Sequence, residues 1–284
     1  MNKLRAYIQL ARIDKPIGIY LLLWPSLLGL LLGILQSGFS NIKNFIIVFV
    51  GSVLVRSCGC IINDISDYKI DRLVTRTANR PLASGTISIL EAWVLFIILG
   101  FASIILLIFT NPLTIKISIF FAVLIILYPL TKRFFLAPQF ILGITFGSGC
   151  LIAYSLESSY FTPSLAIMYL GIIAWIVSFD TFYALEDKED DLRININSTA
   201  ILWGDHAVIY AQILHLIFYG SLLYLAIINK FSFYFVIVFI GLMITYFYQN
   251  RLIKKSKFLE AFKANNWIGL ICVLGFIFEI FLIN

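Results

Sequence analysis

Residues 42–62, IKNFIIVFVGSVLVRSCGCII, run directly into residues 63–71, NDISDYKID. The first stretch is 21 residues long and holds two charges, Lys43 near its start and Arg56 within it. At ~1.5 Å per residue it makes a helix of ~30 Å, the thickness of a bilayer's hydrocarbon layer. The second stretch places Asp64, Asp67 and Asp71 at i, i+3 and i+7, one face of the same helix continued. The sequence therefore predicts an apolar span that delivers a row of carboxylates to one membrane surface.

The rest of the chain extends this pattern. Of 284 residues, 61% are hydrophobic and 13% charged, whereas soluble domains are ~25% charged. A water-soluble globule is excluded, and a membrane enzyme, transporter or channel remains. Apolar runs lie near 17–35, 42–62, 89–109, 115–131, 135–154, 164–185, 207–228, 231–249 and 266–283. Backbone polar groups in lipid must be satisfied within the segment, and these runs lack the alternation of barrel strands, so helices are expected. The expected fold is all-α, a polytopic bundle of nine transmembrane helices around a central cavity with cytoplasmic cap loops. It is read as one integral-membrane domain over residues 1–284. Pro16 should open the first span, and Pro25 and Pro129 should bend theirs. The first apolar run continues into a full span, so it is read as an anchor and not a removed signal.

The four cysteines, Cys58, Cys60, Cys150 and Cys272, lie in apolar stretches, and only two histidines, His206 and His215, are present. Zinc, haem and a disulfide framework are not expected. The net charge of +6 does not indicate nucleic acid, because its distribution has a membrane explanation. With the N-terminus in the cytoplasm, 17 Lys and Arg fall on the inner side and three (Lys43, Lys116, Lys230) on the outer side. That is the asymmetry of the positive-inside rule. An odd number of spans then places the C-terminus outside.

Eight of the 15 acidic residues sit in two short clusters, Asp64–Asp67–Asp71 and Glu186–Asp187–Glu189–Asp190–Asp191. The clusters are four spans apart and land on the same side, a spacing that hints at a duplicated four-helix unit. Like charges at helical spacing repel. A solvated acidic loop would not need to gather them that way twice. Facing carboxylate walls would suit Mg2+, which takes oxygen ligands and shares them with substrate phosphates. Arg72, Arg76 and Arg80 follow the first cluster and Arg193 the second. Basic residues beside a metal site favour a bound diphosphate over a conducted cation. A divalent-cation transporter, the rival from another class, should instead carry carboxylates at the bilayer midplane on several helices. A lipid-embedded assembly subunit would leave the acids unexplained.

Two charges lie deeper. Arg56 is two turns inside Asn63, ~10 Å along the helix, and Asp180 is two turns inside Asp187. Ionisable groups within a membrane are costly and mark function. The two could form a structural ion pair, or Arg56 could hold the carboxylate of an acidic aromatic substrate. Most of the 26 Phe and 14 Tyr must pack or face lipid. A few could line a pocket for an isoprenoid tail or a carbocation. Tyr128 and Tyr183, one turn before Lys132 and Asp187, are the candidates.

Asn63-Asp64-x-x-Asp67-x-x-x-Asp71, followed by Arg76-Thr77-x-x-Arg80-Pro81-Leu82-Ala83-Ser84-Gly85, resembles the first signature of the UbiA superfamily of intramembrane aromatic prenyltransferases. Tyr183-Ala184-x-x-Asp187-x-x-x-Asp191 resembles the second. Arg12-x-Asp14-Lys15-Pro16-Ile17-Gly18 with Trp24-Pro25 is similar to the opening of its hydroxybenzoate-using branch. Tyr128-Pro129-x-x-Lys132-Arg133 and Ser198-Thr199-Ala200-Ile201 add further likeness. The resemblance spans about residues 10–205.

It implies a polyprenyl diphosphate whose tail lies in the bilayer and whose headgroup is held on Mg2+. It also implies 4-hydroxybenzoate as acceptor, in a step toward ubiquinone. A dihydroxynaphthoate, haem or a chlorophyllide is the alternative acceptor. By position, Asn63, Asp64, Asp67, Asp71, Asp187 and Asp191 would form the metal set, with Asp190 as an alternative to Asp191. Asp67, Asp71, Asp187 and Asp191 would be catalytic. Arg12, Arg72, Tyr128 and Lys132 would bind diphosphate, and Arg56 and Arg133 the aromatic acid. The expected setting is a bacterial inner membrane, with the acidic motifs cytoplasmic. No nucleic acid and no obligate protein partner are expected.

Overall fold

The computed structural model describes residues 3–74, 76–131 and 134–283, the last two of these by backbone alone. Among them there are helices and no strand. A short helix α1 (Lys3–Leu10) precedes α2 (Ile17–Ser37) and α3 (Ile42–Asp71). These are followed by α4 (Ile89–Leu107), α5 (Pro112–Thr131), α6 (Pro138–Tyr154) and α7 (Pro163–Arg193). The chain ends with α8 (Thr199–Leu202), α9 (Ala207–Ile228), α10 (Val236–Ile253) and α11 (Phe258–Phe278).

Among the described residues eight helices are long and apolar enough to cross a membrane, and α6, at 17 residues, is a shorter apolar helix. Each apolar run of the sequence falls on a described helix, eight of them of spanning length. The chain is a multi-pass membrane protein. Pro16 stands at the start of α2, where a missing N–H costs nothing.

Two helices run well past their apolar runs. At 30 and 31 residues, α3 and α7 are ~45 Å long, against ~30 Å of hydrocarbon. The excess is about ten residues, so residues 63–71 and the end of α7 emerge as the helical ends that carry the acids. Residues 63–71 are helix, as the spacing of their acids predicts, because each continues an already nucleated helix and adds one hydrogen bond.

Burial sorts the helices into layers. In α2, 78% of the apolar window is covered by protein, and in α7 67%, whereas α4 is 6% covered. Helices α2 and α7 are therefore the inner ones, and α4 lies outside against α3 with its apolar face free for lipid. Helix α2 packs on α3, α6, α7 and α11, while α7 packs on α6, α9 and α11.

Lipid tails are as apolar as leucine, so helices associate through close packing and hydrogen bonds. Gly29 of α2 lies directly against the backbone of Cys150 in α6. The indole N–H of Trp24 donates to Asn266 at 3.0 Å and that of Trp175 to Asn265 at 2.8 Å, fixing α11 to both inner helices. At the end away from the acids, Tyr154 donates to Gln36 at 2.6 Å and Asn44 to Glu157 at 2.9 Å.

Candidate active site

The site begins with the end of α3. Asp64, Asp67 and Asp71 are all buried, at 1%, 7% and 7% exposure. A buried carboxylate survives only if its charge is matched. Arginine does this for two of them: Arg12 Nη2 reaches both oxygens of Asp64, at 2.9 and 2.8 Å. Arg80 Nη1 bridges Asp64 at 3.1 Å and Asp71 at 2.8 Å. Arg12 holds a left-handed φ of 56° just after α1, and a second bond, Nη1 to the Gln9 carbonyl at 2.7 Å, fixes the guanidinium. Helix α1 is anchored in turn by Lys3 and Tyr7 on Glu91, the acid of the Ser88–Glu91 capping box that starts α4.

Residues 72–74 and 76–88 fold over this end. The Thr77 hydroxyl donates to the Asp71 carbonyl at 2.9 Å, and Arg72 Nε to the Ala83 carbonyl at 2.9 Å. Gly85 takes a φ of 75°, open only to glycine without strain. The segment carries Arg76 across to α7, where Nε and Nη2 meet the two oxygens of Asp187 at 2.8 and 2.6 Å. Its guanidinium lies 4.9 Å from the centre of the Tyr183 ring. Burial opposes charge on Arg76, but the bond to Asp187 and the fields of Tyr183, Asp187 and Asp71 outweigh it. Its pKa lies above the ordinary arginine value. Arg80 behaves alike, burial being outweighed by Asp64 and Asp71. Both guanidinium groups stay charged.

Arg76, which also feels the charge of Asp71, thus ties the segment after the first acidic motif to Asp187 of the second, 111 residues further along the chain. The ends of α3 and the segment after α7 also bound a pocket of about 570 Å³, with Ser66, Lys69 and Asn195 among its lining. Asp190 turns elsewhere: it borders a second pocket with Glu186, Glu189 and Ser256, and pairs with Arg193 at 3.7 Å. Asp187, Asp190 and Asp191 stand at i, i+3 and i+4 of α7, on one helical face.

Deeper in the bundle, Tyr128 of α5 lies within electrostatic reach of Asp67, Asp180 and Arg56. Arg56 projects from α3 over the Phe146 ring of α6, 5.5 Å from its centre. Arg56 and Asp180 do not form the ion pair the sequence offered as one possibility, since Arg56 has no ion-pair partner among the described residues. Beneath the second motif, Thr199 accepts or donates at 2.8 Å to Thr181, and its N–H reaches Gln139 at 2.9 Å, binding α8 to α6 and α7.

The structure brings together Arg12, Asp64, Asp71, Arg76, Arg80 and Asp187. Asn63 is on the same helical turn as Asp64, and Asp67 one turn beyond. It sets Arg72 against the loop backbone and the Tyr68 ring, 5.7 Å from its centre, so of the three arginines that follow the first motif Arg76 and Arg80 are seen to reach carboxylates. In sequence both are cations after the first motif and part of the signature it resembles, with no partner assigned. Their reach depends on how the loop folds. Lys132 and Arg133 lie outside the described residues. Among the described residues no three carboxylates, imidazoles or thiols are gathered closely enough to hold an ion as they stand. The donor set is nonetheless all oxygen, the chemistry that Mg2+ selects.

The fold and site together are those of a helical membrane protein with paired carboxylates and arginines gathered at one end of its bundle. This chain belongs to the UbiA prenyltransferase family, whose profile matches residues 22–271. It is 39% identical to the 4-hydroxybenzoate octaprenyltransferase of Saccharophagus degradans, over 98% of this chain and 94% of that protein. It is 40% identical to the protein of that name in Francisella tularensis subsp. novicida, over 95% of this chain and 96% of the relative. Among solved structures, the apo UbiA homolog of Aeropyrum pernix K1 superposes with a TM-score of 0.77 at 22% identity, over 90% and 96% of the two chains. The Archaeoglobus fulgidus UbiA homolog bound to GPP and Mg2+ gives 0.68 at 16% identity, over 95% and 99%.

Proposed function

We propose that this protein, acting as one catalytic unit over its whole length, transfers a polyprenyl group from polyprenyl diphosphate to 4-hydroxybenzoate. The new bond forms at the ring carbon next to the phenol oxygen, and diphosphate is released. The observation that carries this reading is the Arg76 bridge: a guanidinium held by two oxygens of Asp187 while Asp71 and Arg80 stand beside it. Near-full-length likeness to relatives named for that reaction supports the choice of substrates.

Asn63, Asp64, Asp67, Asp71, Asp187 and Asp191 would hold Mg2+. When bound, the metal supplies positive charge to the phosphate oxygens. Arg12, Arg76 and Arg80 then bind the remaining anionic oxygens, exchanging carboxylate partners for phosphate, with Lys132 and Tyr128 as further contacts. Heterolysis of the C1–O bond leaves the electron pair on the diphosphate and an allylic cation on the prenyl chain. Cations already in place around the leaving group stabilise the charge that develops there. The electron-rich ring carbon gives its π pair to C1, and loss of the ring proton restores aromaticity.

Water would trap the cation, so an apolar enclosure at this depth serves the chemistry. Arg56, with Arg133, receives the acceptor carboxylate. Arg56 and Asp67 lie eleven residues apart on one helical stripe, ~16 Å along the axis. That leaves room for one aromatic ring between guanidinium and diphosphate. The bilayer supplies the prenyl tail, and the acidic motifs and the N-terminus face the cytoplasm of a bacterial inner membrane.

The test is transfer of label from a polyprenyl diphosphate in membranes containing the protein, with Mg2+ and a panel of aromatic acids. Prenylated 4-hydroxybenzoate is expected, and it should vanish when the metal is chelated. Prenylation of a dihydroxynaphthoate in its place, or transfer without metal, would overturn the reading.

A further inference from the structure

Arg56 occupies its place at the expense of a neighbouring residue. Its Nε is buried without a hydrogen-bond partner. What surrounds the guanidinium is the Phe146 ring on one side and Gly18 of α2 on another. A Cβ built on Gly18 would lie 2.5 Å from Nε, 2.6 Å from Nη2 and 2.9 Å from Cζ of Arg56. These are its three nearest atoms, and every one is closer than a carbon can come.

The backbone does not ask for glycine here. Gly18 lies in the first turn of α2 and is not among the positive-φ residues, and alanine is the better helix former. Space for the guanidinium is what a side chain at this position would remove.

We propose that Gly18 is a specificity-determining residue: by lacking a Cβ it lets α2 close over the Arg56 guanidinium and holds it over Phe146, positioned for the carboxylate of the aromatic acceptor. The proposal rests on the reading of Arg56 given above. A guanidinium takes a carboxylate through two parallel hydrogen bonds, a geometry fixed in plane and direction. Displacing it by ~1 Å is enough to cost ~100-fold in rate. The group in the way is the far end of a flexible side chain, so Gly18→Ala should shift Arg56 without unfolding α2.

The experiment compares 4-hydroxybenzoate with its uncharged methyl ester as acceptors, in wild type, Arg56→Ala, Gly18→Ala and the double variant. In the wild type kcat/KM for the acid exceeds that for the ester. Arg56→Ala abolishes the preference. Gly18→Ala reduces it by ~10–100-fold, while the KM for the prenyl donor stays within twofold. In the Arg56→Ala background Gly18→Ala changes the ratio no further, because the group it displaces is gone. Any folding defect of Gly18→Ala is relieved in the same background.

If Arg56→Ala retains the acid preference, the carboxylate role of Arg56 is wrong. If Arg56→Ala loses the preference but Gly18→Ala keeps it, the role of Gly18 alone is wrong. Additive losses in the double variant would also overturn it, since independent sites add and a shared one does not.

Discussion

Arg76→Ala separates holding the fold together from doing chemistry. In the resting protein Arg76 makes two charge-assisted bonds to Asp187, at 2.8 and 2.6 Å. The side chains are 36% and 15% exposed, so the pair is partly screened by water. A fully exposed pair contributes ~0–1 kcal/mol and breaking a buried one costs ~3–5 kcal/mol. An intermediate loss of about 1–2 kcal/mol of stability follows. The catalytic loss should be larger. Removing one donor aimed at developing negative charge costs ~10²–10³-fold in kcat, about 3–4 kcal/mol.

The assay is steady-state transfer with each substrate varied in turn, alongside thermal unfolding in detergent. Arg76→Ala should lower kcat by that factor, leave the KM for the aromatic acid nearly unchanged and cost a few degrees of Tm. Arg76→Lys should recover part of kcat, because it keeps the charge without the two-point geometry. A kcat within threefold of wild type in Arg76→Ala would refute the assignment and leave Arg76 as a fastener between α3 and α7.

Gly29→Val should abolish stable folding, because any side chain there meets the Cys150 backbone, which cannot move aside as the Arg56 head can; yield and monodispersity in detergent report it. Single cysteines at Lys69 and at Lys230, in a background without the native thiols, should label from opposite sides of the membrane. Lys69 should react only from the cytoplasmic side, and labelling of both from one side would contradict the proposed topology.

The sequence discloses much of this architecture because the constraint behind it is severe. A chain in lipid must satisfy its backbone within each segment, so apolar run length alone places the helices. Helix α9 covers 207–228, the very range its apolar run predicts. The same signal fails where polarity and structure part company. Residues 63–71 and the end of α7 are too polar to count as span, yet they continue the helices that carry the acids. Helix α1 is also missed, since eight residues close to the N-terminus look like a tail until Lys3 and Tyr7 are seen on Glu91.

In the site, helical spacing exposes Asp64, Asp67 and Asp71 because one face of one helix sets their relation. The partners Arg76 and Arg80 are set by the connection between α3 and α4, which no periodicity encodes. In sequence Gly18 is one residue of the opening motif, with nothing to tie it to Arg56. Its meaning is the distance between two helices.

The central claim is that both acidic motifs serve one metal-bound diphosphate. Its most direct test is Mn2+ binding, followed by electron paramagnetic resonance in the presence of a non-reactive prenyl thiodiphosphate. Wild type, Asp67→Asn and Asp187→Asn would be titrated side by side. Tight Mn2+ binding that depends on the diphosphate analogue, and that is lost in either single variant, is predicted. Retention of that binding when one motif is neutralised would contradict the account.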